Sequence, residues 1–343
     1  MTRRVVRLPS DGPALLELLG HPRRSAGLGR RFSVAQVAQI HRTVNRAPEV
    51  MVKVTGGGRG VRAVADHFSY ISHQGEIELE TDQGQRVAKT EHQDLLKDWH
   101  LDLTAGQYRP RFDGSARSRI KLVHNIVLSM PAPTPPDKVL AAAKQFARER
   151  FALNHRYVLA LHTHQQHPHV HLVVKAEGRD GRRLHIDKAM LREWRQDFAR
   201  MMREQGIAAN ATPRVVRGQG KRAERDGAYR TRRRGTSKVL DHRVKSVVSE
   251  LAKTRTIRDP AHTKLAETRK ALIHAWMEVA DVLHAQGELT LAHGVRRFAN
   301  TLPPARTDRE RLALQFVAHL ESRRPGHPRE DDPVRDRPQD RAR

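Results

Sequence analysis

The chain has 343 residues, no cysteine, and 64 Lys and Arg against 38 Asp and Glu, a formal charge of +26. A protein that basic repels itself unless a polyanion takes up the field, which points first to nucleic acid; a ribosomal or chromatin-like protein, or a membrane-surface binder, fits the same balance. Missing cysteine excludes disulfides and thiolate chemistry. With no bilayer-length apolar run and no signal-peptide core in "MTRRVVRLPSDGP", a cytoplasmic protein without membrane insertion is expected.

Residues 1–49 form a basic extension in which "SVAQVAQIHRTV" suits a short helix. "VMVKVT" (Val50–Thr55) is a strand by its branched residues, and "GGGRG" ends it. That run lacks the Lys-Ser/Thr ending of a nucleotide-binding loop and is taken as a flexible turn. In "VRAVADHFSYISHQG", Val64, Phe68 and Ile71 share one helical face, Tyr70 points away from it, and Gly75 ends the helix. "IKLVHNIVLSM" (Ile120–Met130) is a second strand. The prolines of "PAPTPP" and Asp137 then start a helix with Val139, Ala143, Phe146, Ala147 and Phe151 along one stripe.

"YVLALHTH" and "HVHLVVKAE" are two strands joined by "QQHP", an antiparallel hairpin. Asp187 opens a helix with Leu191, Trp194, Phe198 and Met201 at helical spacing, ending at Gly206. This order predicts an α/β (α+β) fold, a central antiparallel sheet with flanking helices over residues 50–213. Residues 214–238 are arginine-rich, a linker or a phosphate-tracking arm. Arg214, Arg217, Lys221 and Arg222 are its candidate DNA contacts, and Tyr229 can stack on a base. Residues 239–323 form an all-helical C-terminal module: Leu265, Leu272, Trp276, Val279 and Leu283 share a stripe before Gly287, and "TDRE" (Thr307–Glu310) is a capping box. Residues 324–343 form a disordered tail.

The stretch "HTHQQHPHVHLVV" concentrates the chemistry. Side chains two apart on a strand share a face, so His169 and His171 project together with Val170 turned away. The hairpin brings His162 alongside them. A lone strand histidine is ordinarily a surface residue or a satisfied core group, but three converging neutral imidazoles can hold one divalent cation and leave positions open for substrate. Imidazole prefers zinc and the later transition metals, whereas phosphate chemistry often uses magnesium or manganese. His164 and His167 either support the ligands, line the loop, or replace one of the three. On a basic protein such an ion suits phosphodiester cleavage, with water as nucleophile or with a tyrosine that stores the bond energy as a phosphotyrosine.

The same stretch resembles the third motif of the relaxases, or mobilisation nucleases, of conjugative and mobilisable plasmids, endonucleases named for a histidine–hydrophobic–histidine motif. Upstream, "HFSYISHQG" resembles the first motif, whose tyrosine is the nucleophile. "HNIVLSMPAPTPPDKV" and "RRLHIDKAMLREWRQDFARMMREQGIAANATPRVVRGQ" resemble the middle strand and the downstream helix. The likeness spans roughly residues 50–220. It implies that His162, His169 and His171 hold the ion, usually Mg2+ or Mn2+ with Zn2+ as the alternative. It implies that Tyr70 attacks at a transfer-origin nick site to leave a 5′-phosphotyrosyl link and a free 3′-hydroxyl. The implied fold places the metal hairpin mid-sheet with helices on the opposite face.

Implied partners are single-stranded or supercoiled origin DNA, relaxosome accessory proteins and a type IV coupling protein; the tail "RPQDRAR" is then a secretion signal, carried with the DNA into a recipient cell. Two residues depart from the pattern. The family commonly has an acidic residue two places after the first histidine, where this chain has His164, so His164 or His67 is the candidate to activate Tyr70. The common arginine after "YIS" is His73. The departures imply retuned chemistry, or a DNA-binding accessory protein that no longer cuts; a metal phosphodiesterase using water is the third alternative.

Overall fold

The computed structural model describes residues 23–25, 29–101, 120–219, 231–232, 234–257 and 259–322. The described residues divide into two compact units, one up to Pro213 and a second from Arg214 onward.

The first unit contains, in chain order, a two-stranded ribbon (β1 Arg23–Ser25, β2 Gly29–Arg31), α1 (Val34–Val44), β3 (Met51–Gly56), α2 (Val61–Ile71), β4 (Leu79–Thr81), β5 (Arg86–Val87), α3 (His92–Asp98), β6 (Val123–Ser129), α4 (Pro136–Phe151), β7 (Tyr157–His162), β8 (His169–Lys175) and α5 (Lys188–Glu204). The main sheet runs β3-β6-β8-β7-β4-β5, and every neighbouring pair is antiparallel. The β7–β8 hairpin therefore occupies its centre. The antiparallel α+β architecture expected from the sequence is the one observed. Helix α1 also belongs to this unit: Thr43 and Thr212 share a buried hydroxyl contact at 2.8 Å, and Asn210 Nδ2 donates to both.

Strand alternation sorts the central side chains into two cores. Ile126, Leu128, Tyr157, Leu159, Val170, Leu172 and Val174 face α4 and α5, where they meet Phe146, Phe151, Trp194 and Phe198. Val123, Val158, Ala160 and Val173 face the other way, onto Val64, Phe68 and Ile71 of α2 and Leu95, Leu96 and Trp99 at α3. Helices thus cover both faces of the sheet rather than only the face opposite the histidines. The difference comes from α2 packing on that face together with α3, β4 and β5, an insert that the sequence does not announce. Its strands are two and three residues long and mostly polar, too short to show a period. Arg156 of the β7 approach fixes this insert, donating to the buried Asp82 at 2.9 Å and pairing with Asp98 at 2.7 Å.

The helical unit, taken by itself, has α6 (Lys238–Thr254), α7 (Ala261–Ala285), α8 (Leu289–Asn300) and α9 (Asp308–Glu321). Leu272, Trp276, Val279 and Leu283 of α7 are buried, and Trp276 packs edge-on to Phe298 at 5.1 Å. Thr307 and Glu310 close the expected capping box on α9. Val216 is also buried here, and its carbonyl accepts from Trp276 Nε1 at 2.9 Å, so the turn Arg214–Arg217 is anchored within this unit.

Phe68 is fully buried and joins α2 to α3 through edge-on ring contacts with Trp99 and His92. Phe68→Ala should lower the stability of the first unit by about 3–5 kcal/mol, because the collapsed core cannot refill a ring-sized hole. Urea unfolding of wild type and variant measures it; a loss below about 1 kcal/mol would show that α2 is not held by this contact.

Candidate metal centre

The register of the hairpin pairs His162 directly with His169, and His171 lies two residues further along β8, opposite Ala160. All three side chains leave the sheet on the α2 face. They are 2%, 8% and 8% exposed. Ring centroids of His162 and His171 are 4.4 Å apart, those of His162 and His169 5.1 Å, and those of His169 and His171 5.2 Å. One ring nitrogen from each lies within 4.8 Å of the others.

Backbone carbonyls fix the protons on two of these rings. His162 Nε2 lies 2.6 Å from the carbonyl of Ile71, and His169 Nδ1 lies 3.1 Å from that of His167. A carbonyl only accepts, so each of those nitrogens must donate. That leaves Nδ1 of His162 and Nε2 of His169 as the nitrogens bearing lone pairs. Supporting bonds of this kind set the orientation and basicity of imidazole ligands. The loop behind is tied as well: Ala132 N donates to His167 Nδ1 at 3.1 Å, and Ser129 Oγ donates to the Pro168 carbonyl at 3.1 Å.

Burial and the crowding of neighbouring rings push His162 down to about 4 and His171 down to about 3, and burial also lowers His169. Near neutral pH the three are uncharged, the form that binds a metal. Geometry and protonation therefore fit a divalent ion. Among the described residues, both ligand-competent groups of this kind consist of histidine alone, a donor set that favours zinc and the later transition metals over magnesium.

Tyr70 stands on the last turn of α2, 60% exposed, while its neighbours Val64, Phe68 and Ile71 are buried. Its ring meets that of His171 edge-on at 6.0 Å and stacks on His67 at 5.9 Å. His67 Nε2 is buried, no described group hydrogen-bonds to it, and burial lowers its pKa. His164 is exposed and does not sit with the trio alone: its ring is 5.2 Å from His162, 6.1 Å from His169 and 4.3 Å from His73. His73 reaches the cluster because His73, Gln74 and Gly75 run through three left-handed conformations after α2, which turn the chain back over the hairpin. No periodicity announces such a turn, and only the His73 departure marks it in the sequence.

Of the proposed DNA contacts, Arg214 is exposed and Arg217 half-buried on the one-turn helix Arg214–Arg217 of the second unit. Lys221, Arg222, Tyr229 and the tail after Arg323 lie outside the described residues.

The depressed histidines make stability depend on pH. In the unfolded chain they titrate near 6.5, and in the folded one at about 4 and about 3. Between those values the unfolded state holds more protons, so stability is fully present above about pH 6.5 and is lost as pH falls toward the folded values. His124, buried and pushed down to about 4, adds in the same direction. In chelator, Tm should fall steadily from about pH 7 to about pH 4.5, and His171→Asn should flatten the slope. A Tm independent of pH across that window would contradict the neutral, buried assignment.

Comparison with known proteins bears on this domain. Residues 74–207 match the family model of the MobA/VirD2-like relaxase nuclease domain, beginning just after Tyr70. The T-DNA border endonuclease VirD2 of Rhizobium radiobacter is 26% identical over 209 residues, covering 55% of this chain and 47% of the relative. That of Rhizobium rhizogenes is 27% identical over 144 residues, covering 38% and 31%. The chain thus spans less than half the length of these relatives. A solved structure of the conjugative relaxase TrwC in complex with oriT DNA overlaps with a TM-score of 0.31 at 12% identity, covering 80% of this chain and 98% of that one, too low to assign residues. The stretch around the histidine hairpin, residues 74–207, is thus similar to the nuclease domain of MobA/VirD2-like relaxases.

Proposed function

We propose that this protein is a relaxase that nicks and rejoins one DNA strand at a transfer origin by tyrosine transesterification. One observation carries the reading: the exposed phenol of Tyr70 stands 6.0 Å, ring centre to ring centre, from His171 of a buried neutral histidine trio. A hydrolase using water would have no need of a tyrosine brought to the ion's edge by a separate helix.

In this reading His162, His169 and His171 would hold a divalent ion, with zinc better matched to their donors than magnesium or manganese, the ions that phosphate chemistry often uses. When bound, it draws charge from the non-bridging oxygens of the scissile phosphate. His67, neutral and stacked on Tyr70, accepts the phenolic proton. The phenolate oxygen of Tyr70 attacks phosphorus; the new bond is Tyr70 O–P, the broken one is P–O3′, and the departing 3′ oxygen takes a proton to become a hydroxyl. One ester replaces another, so attack by the 3′-hydroxyl reverses the step and reseals the strand. The +26 charge supplies sequence-independent hold on the backbone, with Arg214, Arg217, Lys221 and Arg222 as candidate phosphate contacts. Work in the cytoplasm, relaxosome accessory proteins, a type IV coupling protein and passage with DNA into a recipient follow from the same reading. None of the described helices is long and apolar enough to cross a membrane.

Incubation of the full chain with manganese and labelled single-stranded oligonucleotides from a candidate origin, followed by denaturing electrophoresis, tests it. Wild type should give a nuclease-sensitive shifted band, abolished by chelator. Tyr70→Phe should reduce that band to background while binding the oligonucleotide with unchanged affinity. Cleavage that persists in Tyr70→Phe without a protein adduct would make water the nucleophile. Chelator-insensitive binding with no cleavage of any origin strand would make the protein a DNA-binding accessory.

A further inference from the structure

The two positions at which this chain departs from the relaxase pattern, His73 and His164, lie against each other. Their rings are 4.3 Å apart, and that of His73 is 4.4 Å from His162. One nitrogen from each of His73, His162 and His164 falls within the same 4.8 Å limit as in the buried trio. His73 Nε2 donates a hydrogen bond to His162 Nδ1 at 3.3 Å, a proton that a shared cation would replace. Zinc–imidazole bonds of about 2.0–2.1 Å set the edge of a tetrahedral shell at about 3.3–3.4 Å. The pair is therefore already spaced as two ligands of one such ion.

The two trios share His162, and they cannot both use it. Its Nε2 is committed to the Ile71 carbonyl at 2.6 Å, which leaves Nδ1 alone to bind a metal. One lone pair serves one ion. The trios also differ in access: His164 is exposed and His73 half-buried, whereas His169 and His171 are buried. An ion arriving from solvent meets the His73–His164 side first.

We infer that His73, His162 and His164 form a second cation position, selective for imidazole-preferring dications such as zinc, whose filling excludes an ion from the His162–His169–His171 position. The two replaced residues explain why such a cation can sit at the outer position at all. An arginine there would repel a cation, and a carboxylate would admit magnesium and manganese on equal terms; two imidazoles favour zinc. Its consequence for nicking rests on the function proposed above, but the binding does not: zinc at the outer position takes His162 Nδ1 away from the inner one, so zinc opposes manganese-supported strand transfer.

Zinc alone, titrated calorimetrically into the metal-free full chain, tests the site. Wild type should bind one equivalent. His169→Ala/His171→Ala should still bind one equivalent, with affinity within about tenfold of wild type, and adding His164→Ala to that pair should weaken it at least about 100-fold. Cobalt in place of zinc should give the intense visible absorption of a tetrahedral site in both wild type and His169→Ala/His171→Ala. Loss of zinc binding in His169→Ala/His171→Ala would overturn the outer position, provided circular dichroism shows the variant folded; two equivalents on wild type would overturn the exclusion.

In the adduct assay with manganese, zinc should suppress the wild-type band at a concentration at least about tenfold below that needed for His73→Ala/His164→Ala. Equal zinc sensitivity would overturn the antagonism. If wild type forms no adduct at all, the nicking function fails while the zinc titration still decides the site.

Discussion

A hydrogen bond between the last carbonyl of a helix and a histidine of the sheet joins the two halves of this site. Ile71 ends α2, and helix ends leave carbonyls without an intrahelical donor. His162 Nε2 supplies one, at 2.6 Å, and the negative end of the helix dipole favours a donor there. The bond sets which nitrogen of His162 is free. It also sets how far α2 stands from the hairpin, hence where Tyr70, one residue before Ile71, presents its phenol. Below it, Val64, Phe68 and Ile71 pack on the sheet, so the separation is maintained by a core and not by the bond alone.

Much of this was legible in the sequence, and the legible part is the part with a period. Alternation in "HVHLVVK" placed His169 and His171 on one face, and β8 shows that face turned to α2. The i, i+4, i+7 pattern of Val64, Phe68 and Ile71 put Tyr70 off the buried stripe, where it is found exposed. What escaped has no period. The strands β4 and β5 are stabilised by the Arg156–Asp82–Asp98 ion pairs, whose partners come from distant segments, and pairing across 74 residues leaves no local mark. His73 joins the cluster through consecutive left-handed residues, and side-chain identity at a non-glycine position does not announce positive φ. The burial of Val216 under Trp276 likewise lies in a stretch whose composition suggests only a charged linker.

The histidines also answer a problem that the charge of the chain creates. In a protein at +26, more positive charge beside the proposed dication would oppose its binding. Burial keeps His162, His169 and His171 neutral, and each ring raises the difficulty of protonating its neighbours. Clustering thus enforces the metal-binding form without a carboxylate.

The absence of a carboxylate from both trios has a further electrostatic meaning. Neutral rings subtract nothing from the charge of a dication. In the proposed reaction the reacting groups would be one phosphodiester anion and one phenolate, which together bring two negative charges to one place, and a dication held by imidazoles would balance them. A carboxylate ligand would leave that assembly with an excess negative charge beside the buried rings, where unbalanced charge is disfavoured. The same neutrality leaves the choice of metal to the donors alone. A ligand set that suits zinc as well as manganese must then discriminate by position, and the lone pair that His162 can offer only once is the feature of this fold able to do so.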